Sequence, residues 1–179
     1  MTDLTGKGNS PARERTLVGE HWLLGAASSV RAARADWAED GTTFLSPGAL
    51  FGAILVRAAV VHAALLVDDP VKCADPLRTR LGGGPVFYAE RKFGREAGYV
   101  ALVSASVAMM WTAPGSVAHH RTALLEVPDP WHIRPDQGAA WWVAPLDGPG
   151  VLCDPQPLAT LISHGHDALT SGLGGGCGA

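Results

Sequence analysis

The chain has 179 residues, of which 47% are apolar and only 17% are charged, and its formal net charge is −3. This length is typical of one domain that buries a substantial core. The acidic balance excludes a protein that holds nucleic acid with its whole surface, because such proteins are usually basic. Any contact with nucleic acid is therefore expected to be local.

The N-terminal part of the chain predicts a tail followed by two helices. Residues 1–16 are rich in Gly, Ser, Pro and charged side chains, which is typical of a disordered tail, and they lack the apolar core of a secretory signal. A helix is predicted over 17–27. A second helix over 28–39 is expected to be capped by a serine at its start and closed by Gly41.

The rest of the chain mixes strands and helices. Strands are predicted over 42–45, 50–56, 85–89, 98–104, 122–127 and around Trp141–Trp142, and helices over 58–67, 105–111 and 154–169. Residues 71–84 are predicted to be mostly loop, and residues 90–97 a basic loop between two strands. The Gly-rich residues 170–179 are expected to be a disordered tail. This order predicts a single α/β (α+β) domain over 17–169, with a mixed β-sheet and helices packed on its faces.

One apolar run, Ala49–Val67, has the length of a membrane span. It is interrupted by Arg57 and His62, and a charge near the centre of a span costs roughly 2.5–3.5 kcal/mol. A buried strand followed by a buried helix is the better interpretation. No membrane partner is therefore expected.

The cysteines carry no recognisable motif. Cys73, Cys153 and Cys177 are far apart, and an odd number without a short spacing argues against a disulfide framework or a zinc ribbon. The pattern favours a reducing, cytoplasmic setting.

Two polar clusters contain side chains that are typical of catalytic or metal sites. The segment His164–Asp167 resembles part of a metal-binding motif, but histidines two positions apart on a helix point in different directions. Asp68 and Asp69 are adjacent, whereas a two-metal site on a strand needs carboxylates at alternate positions. Helix ends and turns explain both clusters better. The sequence therefore predicts no catalytic residue, no metal site and no cofactor.

One segment is locally basic. Between Lys72 and Arg95, six basic side chains stand against two acidic ones, and Tyr88, Phe93 and Tyr99 lie among or beside them. Basic and aromatic side chains together are typical of surfaces that bind single-stranded nucleic acid. The candidate contact residues are Arg78, Arg80, Arg91, Lys92 and Arg95. The alternative is a solvated hairpin whose aromatic side chains lie in the core.

Spaced Trp, Pro and Gly motifs lie between about Glu20 and Gly165, in the stretches Glu20–Ala27, Trp37, Leu45–Phe51, Gly84–Val86, Trp111, Trp142–Pro145 and Gly150–Pro155. These motifs resemble those of small, uncharacterised actinobacterial proteins, some of which are labelled as similar to the N-terminal domain of bifunctional DNA primase/polymerases. The resemblance implies a primase–polymerase-like α/β domain. It also implies, as partner, single-stranded nucleic acid or a protein of replication or of a mobile element.

The catalytic pattern of that family is missing here. Its hydrophobic-Asp-hydrophobic-Asp motif and its Ser-x-His motif have no counterpart in this chain. We therefore expect a non-catalytic accessory or binding protein with a degenerate primase–polymerase-like fold. The alternatives are a structural or protein-interaction module with no ligand, and an active nucleotidyl transferase-like enzyme, against which the missing motifs count.

Overall fold

The structure is a computed structural model that describes residues 11–173, with side chains to residue 171. Within that range the chain forms six α-helices, seven β-strands and a 3₁₀ turn at Pro135–Gln137. In chain order they are α1 (Pro11–Leu24), α2 (Val30–Asp40), β1 (Thr42–Leu45), β2 (Gly52–Arg57), α3 (Ala58–Leu65), α4 (Ala74–Arg80), β3 (Val86–Phe93), β4 (Glu96–Val103), α5 (Ala105–Met109), β5 (Ser116–Ala118), β6 (Leu125–Pro128), β7 (Ala140–Ala144) and α6 (Pro155–Leu173).

Five strands form an antiparallel sheet in the order β5-β2-β4-β3-β7. The middle strand, β4, is an almost continuous apolar run, and its residues from Gly98 to Val103 are all buried. A strand with this pattern is covered on both faces, because alternate side chains point to opposite sides of the sheet. The sheet therefore has two separate cores, one on each side.

The first core lies between the sheet and helices α3, α4 and α6. Ile54, Tyr99 and Trp141 point into it from three different strands. Helices α3 and α6 approach each other closely at Gly165, where a side chain would overlap the carbonyl oxygen of Val60. A glycine at this contact therefore sets the distance between the two helices.

The second core lies on the opposite face, under α1, α2 and a small antiparallel sheet of β1 and β6. Two tryptophans attach this small sheet to its neighbours through buried hydrogen bonds. The indole N–H of Trp37 donates to the Val127 carbonyl at 3.1 Å, and that of Trp142 donates to the Pro128 carbonyl at 3.2 Å. Each indole thus contributes a large apolar surface and a satisfied polar group.

The predicted α+β class is confirmed, and the sheet differs from the expectation in one respect. All pairings are antiparallel and two strands form a sheet of their own, so the single mixed sheet is not found. Among the described strands, β3 and β4 alone are consecutive neighbours and form a hairpin, and the other pairs join strands that are separated along the chain.

Several helix boundaries differ from those predicted. Helix α1 begins at Pro11 and α6 ends at Leu173, so residues 11–16 and 170–173 are helical and do not belong to the predicted tails. Proline is well tolerated in a first helical turn, because that position has no intrahelical acceptor for an N–H. Residues 1–10 and 174–179 lie outside the described residues.

The predicted basic loop 90–97 is mostly strand. β3 continues to Phe93 and β4 begins at Glu96, with Gly94 in the turn at φ 69°. Ala89 pairs with Gly98 and Phe93 pairs with Glu96, so the three residues between Ala89 and Phe93 oppose Ala97 alone. The two extra residues form a bulge, which interrupts the ladder and reorients side chains.

Across residues 11–173, the helices are all too short or too polar to span a bilayer. The apolar run Ala49–Val67 contains strand β2 and helix α3.

The α3–α6 contact can be tested with Gly165→Ala. The added methyl group would meet the Val60 backbone, which cannot move away by changing rotamer. Overpacking costs roughly 1–3 kcal/mol or more, against a gain of about 1 kcal/mol from the better helix propensity of alanine. We therefore expect urea unfolding to show a lower free energy of unfolding for the variant.

Gly148→Ala is the matched control for that experiment. Its added methyl group would meet only the Val151 side chain, at an ordinary 3.6 Å. Its free energy of unfolding should stay within about 0.5 kcal/mol of the wild type. Equal stability of both variants would contradict the tight packing at Gly165.

Candidate functional site

A polar cleft lies where the bulged end of β3 faces the small sheet. Its volume is about 490 Å³. Its walls come from the end of α2, from β1 and β6, from the bulge, and from the loop before β7. The lining residues are Asp40, Gly41, Thr42, Ala89, Glu90, Arg91, Lys92, Glu126, His132, Gln137, Gly138, Ala139 and Ala140.

Charges of both signs meet in this cleft. Three carboxylates, from Asp40, Glu90 and Glu126, line it together with the cationic Arg91 and Lys92. Glu126 accepts a hydrogen bond from the Thr42 hydroxyl at 3.0 Å. The cleft therefore offers both hydrogen-bond acceptors and cationic donors to a ligand.

Lys92 is the distinctive side chain of the cleft. It is half-buried, and its Nζ lies over the Phe87 ring, 5.7 Å from the ring centroid. Such cation–π contacts contribute about 0.5–1 kcal/mol at exposed sites. Among the ion pairs and hydrogen bonds of residues 11–171, none involves its amino group.

The bulge explains the position of Lys92. Phe87 belongs to the second core, and the next residue, Tyr88, packs against the first core. Regular alternation would place Lys92 on the same face as Tyr88, because the two are four positions apart. The amino group instead lies on the Phe87 side, which opens into the cleft. Burial lowers the pKa of Lys92 and the Glu126 carboxylate opposes that shift.

The five basic residues predicted to bind nucleic acid do not form one surface. Arg91 and Lys92 line the cleft beside the second core, and Arg95 is exposed in the adjoining hairpin turn. Arg78 and Arg80 lie on α4, which packs on the first core through Leu77. The sequence places these residues close together, whereas the sheet separates them.

The aromatic side chains of this segment are directed mainly inward. Tyr99 is only 1% exposed, and Tyr88 packs edge-on against it with ring centroids 5.2 Å apart. Phe93 is half-buried under Arg57, whose guanidinium lies 5.9 Å from the ring centroid. Rings placed in this way offer little face on which a base could stack.

The two polar clusters singled out in the sequence, Asp68–Asp69 and His164–Asp167, make local contacts in the fold. Asp69 accepts a hydrogen bond from the Val71 N–H at 2.9 Å, as expected for a carboxylate in a turn. On α6, His164 is exposed and His166 is half-buried beside Gly115. Within residues 11–173, no three His, Cys, Asp or Glu side chains come together in a way that could hold a metal ion.

A second polar cluster, which spacing along the chain does not reveal, lies inside the first core. His62 of α3 and Tyr99 of β4 share a hydrogen bond of 2.9 Å, and Cys73 lies beside the same hydroxyl. Burial raises the pKa of the Cys73 thiol and raises that of Cys153 to about 12. Both thiols are therefore protonated near neutral pH and are poor nucleophiles.

Comparison with known proteins adds no relative. No protein-family model matches the chain, no curated protein matches it, and no solved structure matches its fold. The resemblance to primase–polymerase domains therefore stays a prediction from the sequence.

The His62–Tyr99 pair makes stability depend on pH. Burial lowers the pKa of His62 below its ordinary value of 6.5, although Asp68 and Asp69 act in the opposite direction. As the pH drops, His62 takes up its proton at a higher pH in the unfolded chain than in the folded chain. The free energy of unfolding therefore falls as the pH drops below 6.5. Burial also lowers the pKa of His119, which adds to the same trend.

We expect His62→Gln to make this pH dependence shallower. The measurement is the free energy of urea unfolding between pH 5.5 and 8 for the wild type and for the variant. Both proteins should be insensitive to pH at the upper end of the range, where the imidazole is neutral in both states. An equally steep loss of stability in the variant at low pH would contradict the assignment to His62.

Proposed function

We propose that the protein is a non-catalytic binding protein and that the polar cleft holds a small ligand with an anionic group. The observation that carries the proposal is the Lys92 amino group, which lies in the cleft without an ion-pair partner among the described residues. An anionic ligand would supply that partner. Charge-assisted hydrogen bonds of this kind are among the stronger polar contacts in proteins.

The rest of the lining supports a ligand that also carries hydroxyl or amino groups. Asp40, Glu90 and Glu126 would repel a molecule that is anionic throughout, but they accept hydrogen bonds from neutral or cationic donors. Arg91 is the second cation that could contact the anionic group. Small hydroxy-acids and amino-acids combine these features, and we propose this class of ligand.

The chemical setting that we propose is the reducing cytoplasm. The cysteines at 73 and 153 are free thiols and both are buried. Free buried thiols persist in a reducing compartment, where glutathione and thioredoxin keep them unoxidised.

Nuclear magnetic resonance tests the cleft with glycolate, serine and inorganic phosphate as probes. We expect glycolate and serine to shift the amide signals of cleft residues such as Thr42, Glu126 and Ala140 more than those of α4. Lys92→Ala should weaken binding by roughly ten-fold or more, because a hydrogen bond to a charged group contributes about 1.5–3 kcal/mol.

Lys72→Ala is the matched control in these titrations, since Lys72 lies outside the cleft and its Nζ is 3.9 Å from the Asp69 carboxylate. It should bind the probes as the wild type does. Shifts spread over the whole surface, or equal losses in the two lysine variants, would contradict the cleft proposal.

A second candidate function is contact with single-stranded nucleic acid at the end of the β3–β4 hairpin. The observation that favours it is that Arg91 and Arg95 are exposed and make no ion pair among the described residues. Exposed, unpaired arginines can bind phosphates without first losing another partner.

This second candidate predicts salt-dependent binding of a fluorescent single-stranded DNA. Arg91→Ala and Arg95→Ala should each weaken binding and reduce the slope of log K against log salt by about 0.7. Arg78→Ala is the control, because Arg78 lies on α4 and its guanidinium is 2.8 Å from Asp75. Absence of binding at low salt, or an equal effect of Arg78→Ala, would contradict nucleic-acid binding at the hairpin.

A further inference from the structure

We propose that the ε-amino group of Lys92 captures carbonyl compounds: it condenses reversibly with a small acid that carries an aldehyde or ketone and enters the polar cleft. This inference rests on the proposed function of the cleft and adds the reactive group of the ligand. We base it on the position, the surroundings and the accessibility of one amine.

The amine is held in place and is left free to react. The Phe87 ring beneath Nζ belongs to the second core and is only 1% exposed, so it forms a fixed floor. No buried side-chain nitrogen or oxygen among the described residues lacks a hydrogen-bond partner. Since Lys92 makes no such bond, its Nζ is not fully buried, and Lys92 is one of the residues that line the cleft.

Glu126 faces the same space from the small sheet. Its charge opposes the lowering of the Lys92 pKa, and both side chains line the cleft without forming an ion pair with each other. Its Oε1 already accepts a hydrogen bond from Thr42, which orients the carboxylate.

The chemistry follows from these positions. The lone pair of the neutral amine forms a bond to the carbonyl carbon, and the electrons of the C=O π bond move to the oxygen. Glu126 takes one proton from the nitrogen and passes it to that oxygen, giving a carbinolamine. Glu126 then takes the remaining N–H proton and passes it to the hydroxyl group, which leaves as water while the nitrogen electrons form the C=N bond. Each step needs the amine unprotonated at the start, and burial favours that form because it lowers the pKa of Lys92.

The small number of lysines in the chain allows the reaction of each one to be followed separately. The sequence contains three lysines, Lys7, Lys72 and Lys92. The Lys72 side chain is 74% exposed and lies outside the cleft, so it reports the reactivity of an ordinary surface amine in the same molecule. A reagent selective for the cleft must therefore favour Lys92 over an amine that is easier to reach.

The experiment uses glyoxylate, which is both an aldehyde and a carboxylate, with sodium cyanoborohydride as the reductant. Hydride from cyanoborohydride adds to the imine carbon and a proton adds to the nitrogen, which leaves a stable carboxymethyl amine. Peptide mapping by mass spectrometry then gives the rate at each lysine and at the N-terminus. We expect Lys92 to react several-fold faster than Lys72, because burial lowers the pKa of Lys92 and so favours its neutral, nucleophilic form.

Two variants and one matched ligand complete the design. Lys92→Arg keeps the positive charge and should abolish labelling in the cleft without changing the rate at Lys72. Glu126→Gln should slow labelling of Lys92 several-fold and leave Lys72 unaffected, and an unchanged rate would overturn the assigned proton transfer. Glycolate, which has the carboxylate but no carbonyl, should compete with glyoxylate at Lys92 alone.

The outcomes separate this proposal from the proposed function of the cleft. If glycolate shifts the cleft signals but Lys92 reacts no faster than Lys72, carbonyl capture is overturned and ligand binding stands. If neither acid shifts the cleft signals and Lys92 is not selectively labelled, both proposals are overturned. Selective labelling at Lys92 that glycolate suppresses supports both.

Discussion

The bulge in β3 is the constraint on which the polar cleft depends. Two extra residues between the pairs Ala89–Gly98 and Phe93–Glu96 break the alternation of the strand. A regular strand would direct Lys92 to the same face of the sheet as Tyr88, which packs against the first core. The bulge instead places the amine over Phe87, on the side where the small sheet leaves open space.

The second wall of the cleft depends on how the small sheet is attached. β1 and β6 pair with each other, and two indole N–H groups bind consecutive carbonyls of β6 from opposite sides, one from α2 and one from β7. Thr43 adds a hydrogen bond to Asp36 of α2 at 2.9 Å. The inner face of the small sheet is thereby fixed, which leaves Thr42 and Glu126 on its outer face to line the cleft.

Local signals predicted the elements well, whereas the site depends on contacts that are remote in sequence. Ser29 caps α2 by accepting from the Ala32 N–H, Gly41 ends that helix at φ 72°, and the Asp154 carboxylate accepts from the first turn of α6, all as expected from residue type. The residues that line the cleft are spread between positions 40 and 140 of the chain, so no short sequence motif identifies the cleft. Residues 71–84, predicted to be mostly loop, contain helix α4, which carries Arg78 and Arg80 to the other side of the sheet from Arg91.

The most direct test of this account is the titration of Lys92 followed by nuclear magnetic resonance of its side-chain carbon next to the amine. With three lysines in the chain, substitution of each in turn assigns the signals. The account predicts that Lys92 titrates below its ordinary pKa of 10.5, because the bulge holds the amine partly out of water over an apolar ring. A pKa at or above 10.5 would contradict it, since the amine would then be either solvated or paired with a carboxylate.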